Sequence, residues 1–246
     1  MNRRITLQTL LAAALTPLFA GCAKHQPAAQ TTPLPAVPNA LSEVEKRQGW
    51  VLLFDGRTLT GWHTYGKSPG LTPGWDVRDG AIVPTGSQGD LVSDLQFSSF
   101  ELEIEWKISP NGNSGIFYWA NEGTKVIYEN APEMQVLDNL GHPDGKSPLT
   151  SAGALYGLYP AAQDAVKAVG EWNLARIVIH GSKVQHWLNG VRTADVDFDS
   201  KEMKAKIAAS KFKEWDTFGK SRRGHLGLQE HGGTVWFRSI KVREGR

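Results

Sequence analysis

The feature that most constrains the fold is a strict alternation of apolar and charged side chains over residues 100–108. The apolar side chains are Phe100, Leu102, Ile104, Trp106 and Ile108, and the residues between them are Glu101, Glu103, Glu105 and Lys107. Successive side chains of a β-strand point to opposite faces, so one face of this segment is apolar and the other is charged. The pattern predicts a half-buried antiparallel strand.

Three further strands are predicted in one stretch, joined by two tight turns. Residues 175–180, 183–188 and 191–196 are separated by Gly181-Ser182 and by Asn189-Gly190. An Asn-Gly pair is the strongest short hairpin signal because a type I′ turn needs a positive φ at both central residues. We therefore expect an antiparallel meander.

The C-terminal part of the chain is also predicted to form short strands separated by turn residues. Residues 226–229 and 235–242 are predicted to be two short strands on either side of His231-Gly232-Gly233. Many short strands separated by turn residues are typical of a sandwich or jelly roll. The fold class expected is all-β, with one short helix before the strands.

That helix is predicted near residues 42–49. Ser42 and Glu45 have the spacing of a capping box, and Gly49 ends the helical pattern. The segments 161–169 and 200–213 are each predicted to hold a helical turn or two.

The first residues have the pattern of an export signal. Arg3 and Arg4 precede an apolar run over residues 10–20, and small residues lead to Cys22, which is the only cysteine of the chain. This boundary resembles a lipobox, so Cys22 is the expected lipidation site, and an ordinary buried thiol is the alternative.

These features divide the chain into three parts. Residues 1–21 are expected to be a lipoprotein signal peptide, residues 22–41 a lipidated cysteine with a Pro- and Ala-rich tether, and residues 42–246 one β-sandwich domain. The expected location is the cell envelope, on the periplasmic side, with the protein anchored in a membrane through Cys22.

Charge and cysteine content exclude several classes of function. Residues 1–46 contain four of the 27 Lys and Arg and two of the 25 Asp and Glu, which leaves 23 of each in the rest of the chain. A neutral domain lacks the basic excess of a nucleic-acid binder. With no cysteine beyond Cys22, it has neither disulfides nor thiolate metal ligands.

The segment with the strongest candidates for catalysis is a polar strand predicted at residues 132–138. As a strand it places Glu133 and Gln135 on one face and Asp138 near its end. A carboxylate facing a cleft is a candidate general acid or base. The alternative is the solvated face of an edge strand.

Other candidates lie near turns. Trp119 and Trp172 stand beside polar sequence where an indole could stack on a sugar ring, although core packing is the commoner role. Asn113 opens a strand beside two glycines, so its backbone could approach a ligand closely. His231 lies at a strand end, where a histidine suits proton transfer near neutral pH.

Seven short motifs resemble, in order, those of the 3-keto-disaccharide hydrolase domain family. They lie at residues 49–56, 59–62, 113–117, 132–135, 170–173, 187–190 and 228–232. The resemblance covers nearly all of the chain after residue 48. It implies a concanavalin A-like jelly roll of two curved antiparallel sheets, often found in envelope lipoproteins of bacteria.

The resemblance also implies a substrate and site. The substrate is a glycoside whose C3 hydroxyl has been oxidised to a ketone by a partner sugar 3-dehydrogenase, and cleavage proceeds by elimination across C1 and C2 followed by hydration. The motif positions imply Glu133 as acid or base, His231 as its counterpart, and Gln135, Asn113 and Trp172 as substrate contacts. Trp119 and Asp138 complete the expected substrate-binding set.

Two questions stay open at this level. A carbohydrate-binding protein without catalysis is the alternative function, because the fold alone does not determine it. No phosphate-binding loop, dinucleotide fingerprint or metal-ligand spacing is evident, which leaves the use of a divalent cation undecided.

Overall fold

The structure is a computed structural model that describes residues 37–86 and 88–245. Thirteen strands and two α-helices form the regular structure of these ranges. The strands are β1 (Val51–Leu52), β2 (Trp62–Thr64), β3 (Trp75–Arg78), β4 (Ala81–Pro84), β5 (Leu91–Phe97), β6 (Phe100–Ile108), β7 (Asn113–Ala120), β8 (Glu133–Leu137), β9 (Asn173–His180), β10 (Lys183–Leu188), β11 (Val191–Asp197), β12 (Gly224–Leu228) and β13 (Val235–Glu244). The helices are α1 (Glu43–Arg47) and α2 (Lys201–Ala209), and single 3₁₀ turns lie at Ile127–Glu129, Pro143–Lys146 and Lys211–Glu214.

The strands form two antiparallel sheets. The larger sheet has the order β11-β10-β9-β6-β13-β4-β3, with β1 also paired to β13, and the smaller sheet has the order β2-β5-β12-β7-β8. The inner faces of both sheets contribute to one hydrophobic core. The predicted all-β jelly-roll sandwich is confirmed.

Strand β6 lies at the centre of the larger sheet. Its five apolar side chains are at most 3% exposed and belong to the core. The opposite face is less exposed than the alternation predicts, because Glu105 pairs with Arg238 at 3.1 Å and Glu103 pairs with Lys241 at 2.8 Å. Both carboxylates are buried under these cations.

The predicted meander is formed by β9, β10 and β11. Asn189 and Gly190 have φ values of 49° and 83°, as a type I′ turn requires. The Asn189 side chain also accepts a hydrogen bond from the Leu174 N–H at 2.8 Å and donates to the carbonyl of Ala165. This turn residue therefore fixes two further segments.

Two of the three helical predictions are confirmed. Helix α1 has the complete capping box of Ser42 and Glu45, and residues 200–213 hold α2 and a 3₁₀ turn. The prediction for residues 161–169 is wrong, since that segment is irregular. Its backbone groups bond to other parts of the fold, for example Ala162 N–H to the Thr193 carbonyl at 2.9 Å, in place of their helical partners.

The outer face of the smaller sheet is where the chain builds a cavity. On β8, Met134 and Val136 enter the core, whereas Glu133 and Gln135 point to the outer face. Within the described ranges no helix has the length and apolar character needed to cross a bilayer. The expected signal peptide and Cys22, the expected lipidation site, lie outside these ranges.

Candidate active site

Four of the candidate residues line one cavity of about 220 Å³. They are Asn113 at the start of β7, Glu133 and Gln135 on β8, and His231 beyond the end of β12. Antiparallel pairing aligns these strands, since Gly115 is opposite Gln135 and Phe117 is opposite Glu133. The volume suits a single sugar ring, because sites for larger, drug-sized ligands measure about 300–1,000 Å³.

Gly115 provides the space that the Glu133 carboxyl group occupies. A methyl group built on Gly115 would overlap the Oε1, Cδ and Cγ atoms of Glu133. The carboxyl group therefore lies across the neighbouring strand. The Asn-Ser-Gly motif at residues 113–115 thus has a steric role at this site, in addition to supplying Asn113.

The Glu133 side chain is buried and 7% exposed. Burial is the main cause that raises its pKa to about 8, and the negative charge of Asp90 adds to the effect, while Lys211 acts in the opposite direction. Below pH 8 the protonated form therefore predominates. A neutral carboxylic acid in a cavity can donate a proton to a leaving oxygen.

Two amide oxygens at the cavity have no hydrogen-bond partner among the described residues. They are Asn113 Oδ1 and Gln135 Oε1, and both are buried. The Gln135 amide is oriented by its own nitrogen, which donates to the Thr150 carbonyl at 3.1 Å. Because an unpaired buried polar atom costs about 1–3 kcal/mol, these two acceptors fit a ligand that carries hydroxyl donors.

His231 is exposed on the short segment that follows β12. The backbone of this segment is fixed at Gln229, whose N–H donates to the Gly115 carbonyl at 2.9 Å and whose carbonyl accepts from the Ser114 hydroxyl at 2.7 Å. The imidazole is therefore held at the cavity by a strand end whose backbone is fixed. The side chain therefore borders both the cavity and solvent.

The cavity also has an aromatic wall that sequence reasoning missed. It is formed by Tyr128, Tyr156 and Phe212, and Lys211 belongs to the same wall. The Lys211 Nζ lies 4.6 Å from the centre of the Tyr156 ring and 5.7 Å from that of Tyr128. These residues lie on 3₁₀ turns and a loop, where periodicity gives no signal. Gln229, which belongs to the motif at residues 228–232, also lines the cavity, and the sequence pattern did not predict this position.

Trp119 is not a sugar platform, which corrects the prediction for this residue. It is 1% exposed, its indole N–H donates to the Ser98 carbonyl at 2.9 Å, and its ring packs against Phe198. The cause is a β-bulge: Phe117 is opposite Gly227 and Ala120 is opposite His225, so two β7 residues face the single residue Leu226. Trp119 has a φ of 57° and turns inward.

Trp172 is also away from the cavity, and this prediction is corrected too. Its ring lies on the outer face of the larger sheet, with the Arg238 guanidinium 3.8 Å and the Lys107 Nζ 5.0 Å from its centre. The two cations cover the indole. The core of the sandwich separates this face from the cavity.

Asp138 has a structural environment and does not line the cavity. Its carboxylate accepts hydrogen bonds from the backbone N–H groups of Asn111, Leu140 and Gly141 at 2.9–3.1 Å. Burial alone would raise the pKa of Asp138, but these donors lower it below its usual value. Asp138 therefore stabilises two loops, and the prediction that it binds substrate is corrected.

No group of three or more His, Cys, Asp or Glu side chains in residues 37–86 and 88–245 is arranged to hold a metal ion.

Comparisons with known proteins identify the family of this chain. The chain is 37% identical over 227 residues to a 3-keto-disaccharide hydrolase of Bacteroides thetaiotaomicron, an alignment that covers 79% of this chain and 78% of that relative. A crystal structure from Parabacteroides distasonis, of a protein provisionally named a glycosyl hydrolase, is 32% identical with a TM-score of 0.80 and covers 85% of this chain and 100% of its own. A second such structure from the same organism is 27% identical with a TM-score of 0.63 and covers 80% of this chain and 99% of its own.

Residues 49–243 match the family described as the 3-keto-alpha-glucoside-1,2-lyase-like domain. This range holds every element from β1 to β12 and nearly all of β13, and it includes the whole cavity lining. The chain therefore belongs to the 3-keto-alpha-glucoside-1,2-lyase-like domain family.

Proposed function

We propose that the protein is a hydrolase acting on glycosidic bonds, and that its substrates are 3-keto-glycosides and 3-keto-disaccharides. The observation that carries this proposal is the Glu133 carboxyl group, which is buried and mostly protonated at neutral pH in a cavity that also holds His231. Family membership and the name of the Bacteroides thetaiotaomicron relative support the substrate class.

The proposed reaction starts at C2 of the keto sugar. The ketone at C3 acidifies the C2 hydrogen, so a base can remove it and leave an enolate on the C3 oxygen. When the C3 carbonyl re-forms, a C1–C2 double bond forms and the C1–oxygen bond to the aglycone breaks, with a proton delivered to that oxygen. Addition of water, hydroxyl to C1 and hydrogen to C2, then gives the free 3-keto sugar.

Each step needs a group that the cavity contains. Glu133 in its protonated form is assigned as the acid for the leaving oxygen, and His231 as the base for the C2 hydrogen. Lys211 supplies a positive charge that suits the enolate, while Asn113 and Gln135 offer acceptors to the sugar hydroxyls. Tyr128 and Tyr156 offer ring faces for stacking.

A change of leaving group separates the roles of Glu133 and His231. We expect E133Q to lower kcat on methyl 3-keto-α-glucoside by roughly 100- to 10,000-fold. The same variant should remain far more active on 4-nitrophenyl 3-keto-α-glucoside, because nitrophenolate leaves without an acid. H231A should lose activity on both. If wild-type protein released no sugar from either substrate, the proposed activity would be wrong.

The alternative is a carbohydrate-binding protein without catalysis. The aromatic wall and the two unpaired amide oxygens would serve binding equally well. Binding of unoxidised glycans without release from any 3-keto-glycoside, unchanged in E133Q, would favour this alternative.

The chemistry and the N-terminal sequence support a proposal for the cellular context. A 3-keto substrate requires oxidation of a C3 hydroxyl, so we propose that a sugar 3-dehydrogenase acts before this protein. We also propose export on residues 1–21 and a membrane anchor at Cys22, on the periplasmic side of the cell envelope. The support for this location is the charged, apolar and small-residue pattern that ends at the only cysteine.

A further inference from the structure

A second carboxyl group, that of Asp90, lies on the same sheet face as Glu133. Leu91 pairs with Leu228, and Leu228 pairs with Ile116. One residue along, Asp90, Gln229 and Gly115 therefore form a row across three strands on the outer face. Because Gly115 is the residue over which the Glu133 carboxyl group lies, the row brings Asp90 and Glu133 towards each other.

Asp90 is joined directly to the strand end that carries His231. Its Oδ1 atom accepts a hydrogen bond from the Glu230 N–H at 2.9 Å. Glu230 is flanked by Gln229 and His231, both of which line the cavity.

The charge of Asp90 acts on the ionisation of Glu133. Burial raises the pKa of Asp90 to about 7, and the charge of Glu230 adds to this, whereas the hydrogen bond from the Glu230 N–H opposes it. For Glu133, Asp90 is the largest contribution after burial; Asp144 adds a smaller one and Lys211 opposes them. Between pH 7 and pH 8 the commonest state of the pair therefore has a proton on Glu133 and a negative charge on Asp90.

We propose that Asp90 is a positioning residue of this site, which keeps the proton on Glu133 through its charge and fixes the backbone of Gln229–His231 through its hydrogen bond to Glu230. It acts through these residues and needs no contact with the sugar. The consequence for turnover rests on the proposed function, but the coupling between Asp90 and Glu133 does not.

The test uses D90N, because an asparagine keeps an oxygen acceptor for the Glu230 N–H and removes the charge. Carbon-13 carboxyl NMR of the whole protein, without substrate, would follow the titration of Glu133, with E133Q identifying its resonance. We expect the Glu133 midpoint to fall by roughly half to one pH unit in D90N. D76N, which removes an exposed charge on β3 of the other sheet, should leave the midpoint unchanged.

Kinetics then test the positioning role. The high-pH limb of kcat/KM on methyl 3-keto-α-glucoside should move to lower pH in D90N by the same amount, and D90A, which also loses the hydrogen bond, should lower kcat further. An unmoved Glu133 midpoint in D90N would overturn the proposal. A moved midpoint in a protein that cleaves no 3-keto-glycoside would retain the coupling and reject the proposed function instead.

Discussion

At the scale of single residues, Gly115 is the position where one missing side chain makes room for a reactive group. The Glu133 carboxyl group occupies the space in which any Cβ at residue 115 would lie. The backbone of Gly115 does not have the positive φ that favours glycine. The requirement for glycine here therefore comes from the neighbouring carboxyl group.

The variant G115A tests this requirement. The added methyl group would displace the end of the Glu133 side chain, so we expect kcat/KM on 3-keto-glycosides to fall at least about ten-fold, while Tm changes by only a few degrees. G86A is a matched control, because a Cβ at Gly86 would meet nothing within 4 Å. Equal activity of G115A and wild type would show that the Glu133 carboxyl group works from another position.

The raised pKa of Glu133 predicts the direction of the pH dependence. If Glu133 donates a proton in its acid form, kcat/KM should fall as the pH rises through about 8. This limb should be absent for 4-nitrophenyl 3-keto-α-glucoside, whose aglycone needs no acid. Activity that rises through pH 8 would instead identify Glu133 as the base.

At the scale of elements, the bulge in β7 separates what periodicity can predict from what it cannot. Alternation along β7 places Asn113, Gly115 and Phe117 on the outer face and would place Trp119 there as well. The extra residue at the bulge reverses that assignment, and it is visible only in the pairing with β12. A regular strand such as β6 can be predicted from the alternation in its sequence, whereas the position of this bulge cannot.

The limits of periodicity also explain which residues of the site could be predicted from the sequence. Glu133 and Gln135 could be assigned to one face because β8 is regular, and His231 because it ends a predicted strand. Tyr128, Tyr156 and Lys211 reach the cavity from irregular segments, whose course depends on long-range contacts. One such contact is the hydrogen bond from the Tyr156 N–H to the Glu133 carbonyl at 3.1 Å.

The variant W119F tests the core assignment of this element. It removes the hydrogen bond to the Ser98 carbonyl and part of the ring packed against Phe198, so we expect unfolding to become easier by about 1–3 kcal/mol. KM should stay within about two-fold of wild type, since the ring does not line the cavity. Denaturant unfolding and KM measured on the same preparation would check both. Y156A, on the aromatic wall, should show the opposite pattern.

At the scale of the whole molecule, the N-terminal segment is held on the larger sheet. The Asn39 side chain donates to the Gly80 carbonyl and accepts from the Ser239 N–H, each at 2.8 Å. Helix α1 is joined to the same sheet through Glu45, which pairs with Lys241. The cavity belongs to the smaller sheet, so the chain enters the domain away from the cavity.

This attachment predicts an acid sensitivity. Burial opposes ionisation of Glu45, but its bonds to Lys241 and Ser42 lower the pKa to about 2. Because the folded-state pKa lies below the ordinary value of 4.5, the stabilisation is complete above pH 4.5 and is lost as the pH falls through about 2. E45Q should therefore lower stability at pH 7 and show a smaller further loss between pH 5 and 3 than wild type. Equal losses of unfolding free energy in E45Q and wild type between pH 5 and pH 3 would contradict the role of Glu45.

The proposed anchor at Cys22 can be tested separately from catalysis. If a lipid on Cys22 holds the protein to a membrane, C22S should move it from the membrane fraction to the soluble periplasmic fraction. Because residues 37–47 contact the larger sheet and the cavity lies on the smaller one, kcat and KM on soluble 3-keto-glycosides should stay unchanged. Labelling with an alkyne fatty acid should mark wild type and not C22S. Retention of unlabelled C22S in the membrane fraction would show that another contact holds the protein there.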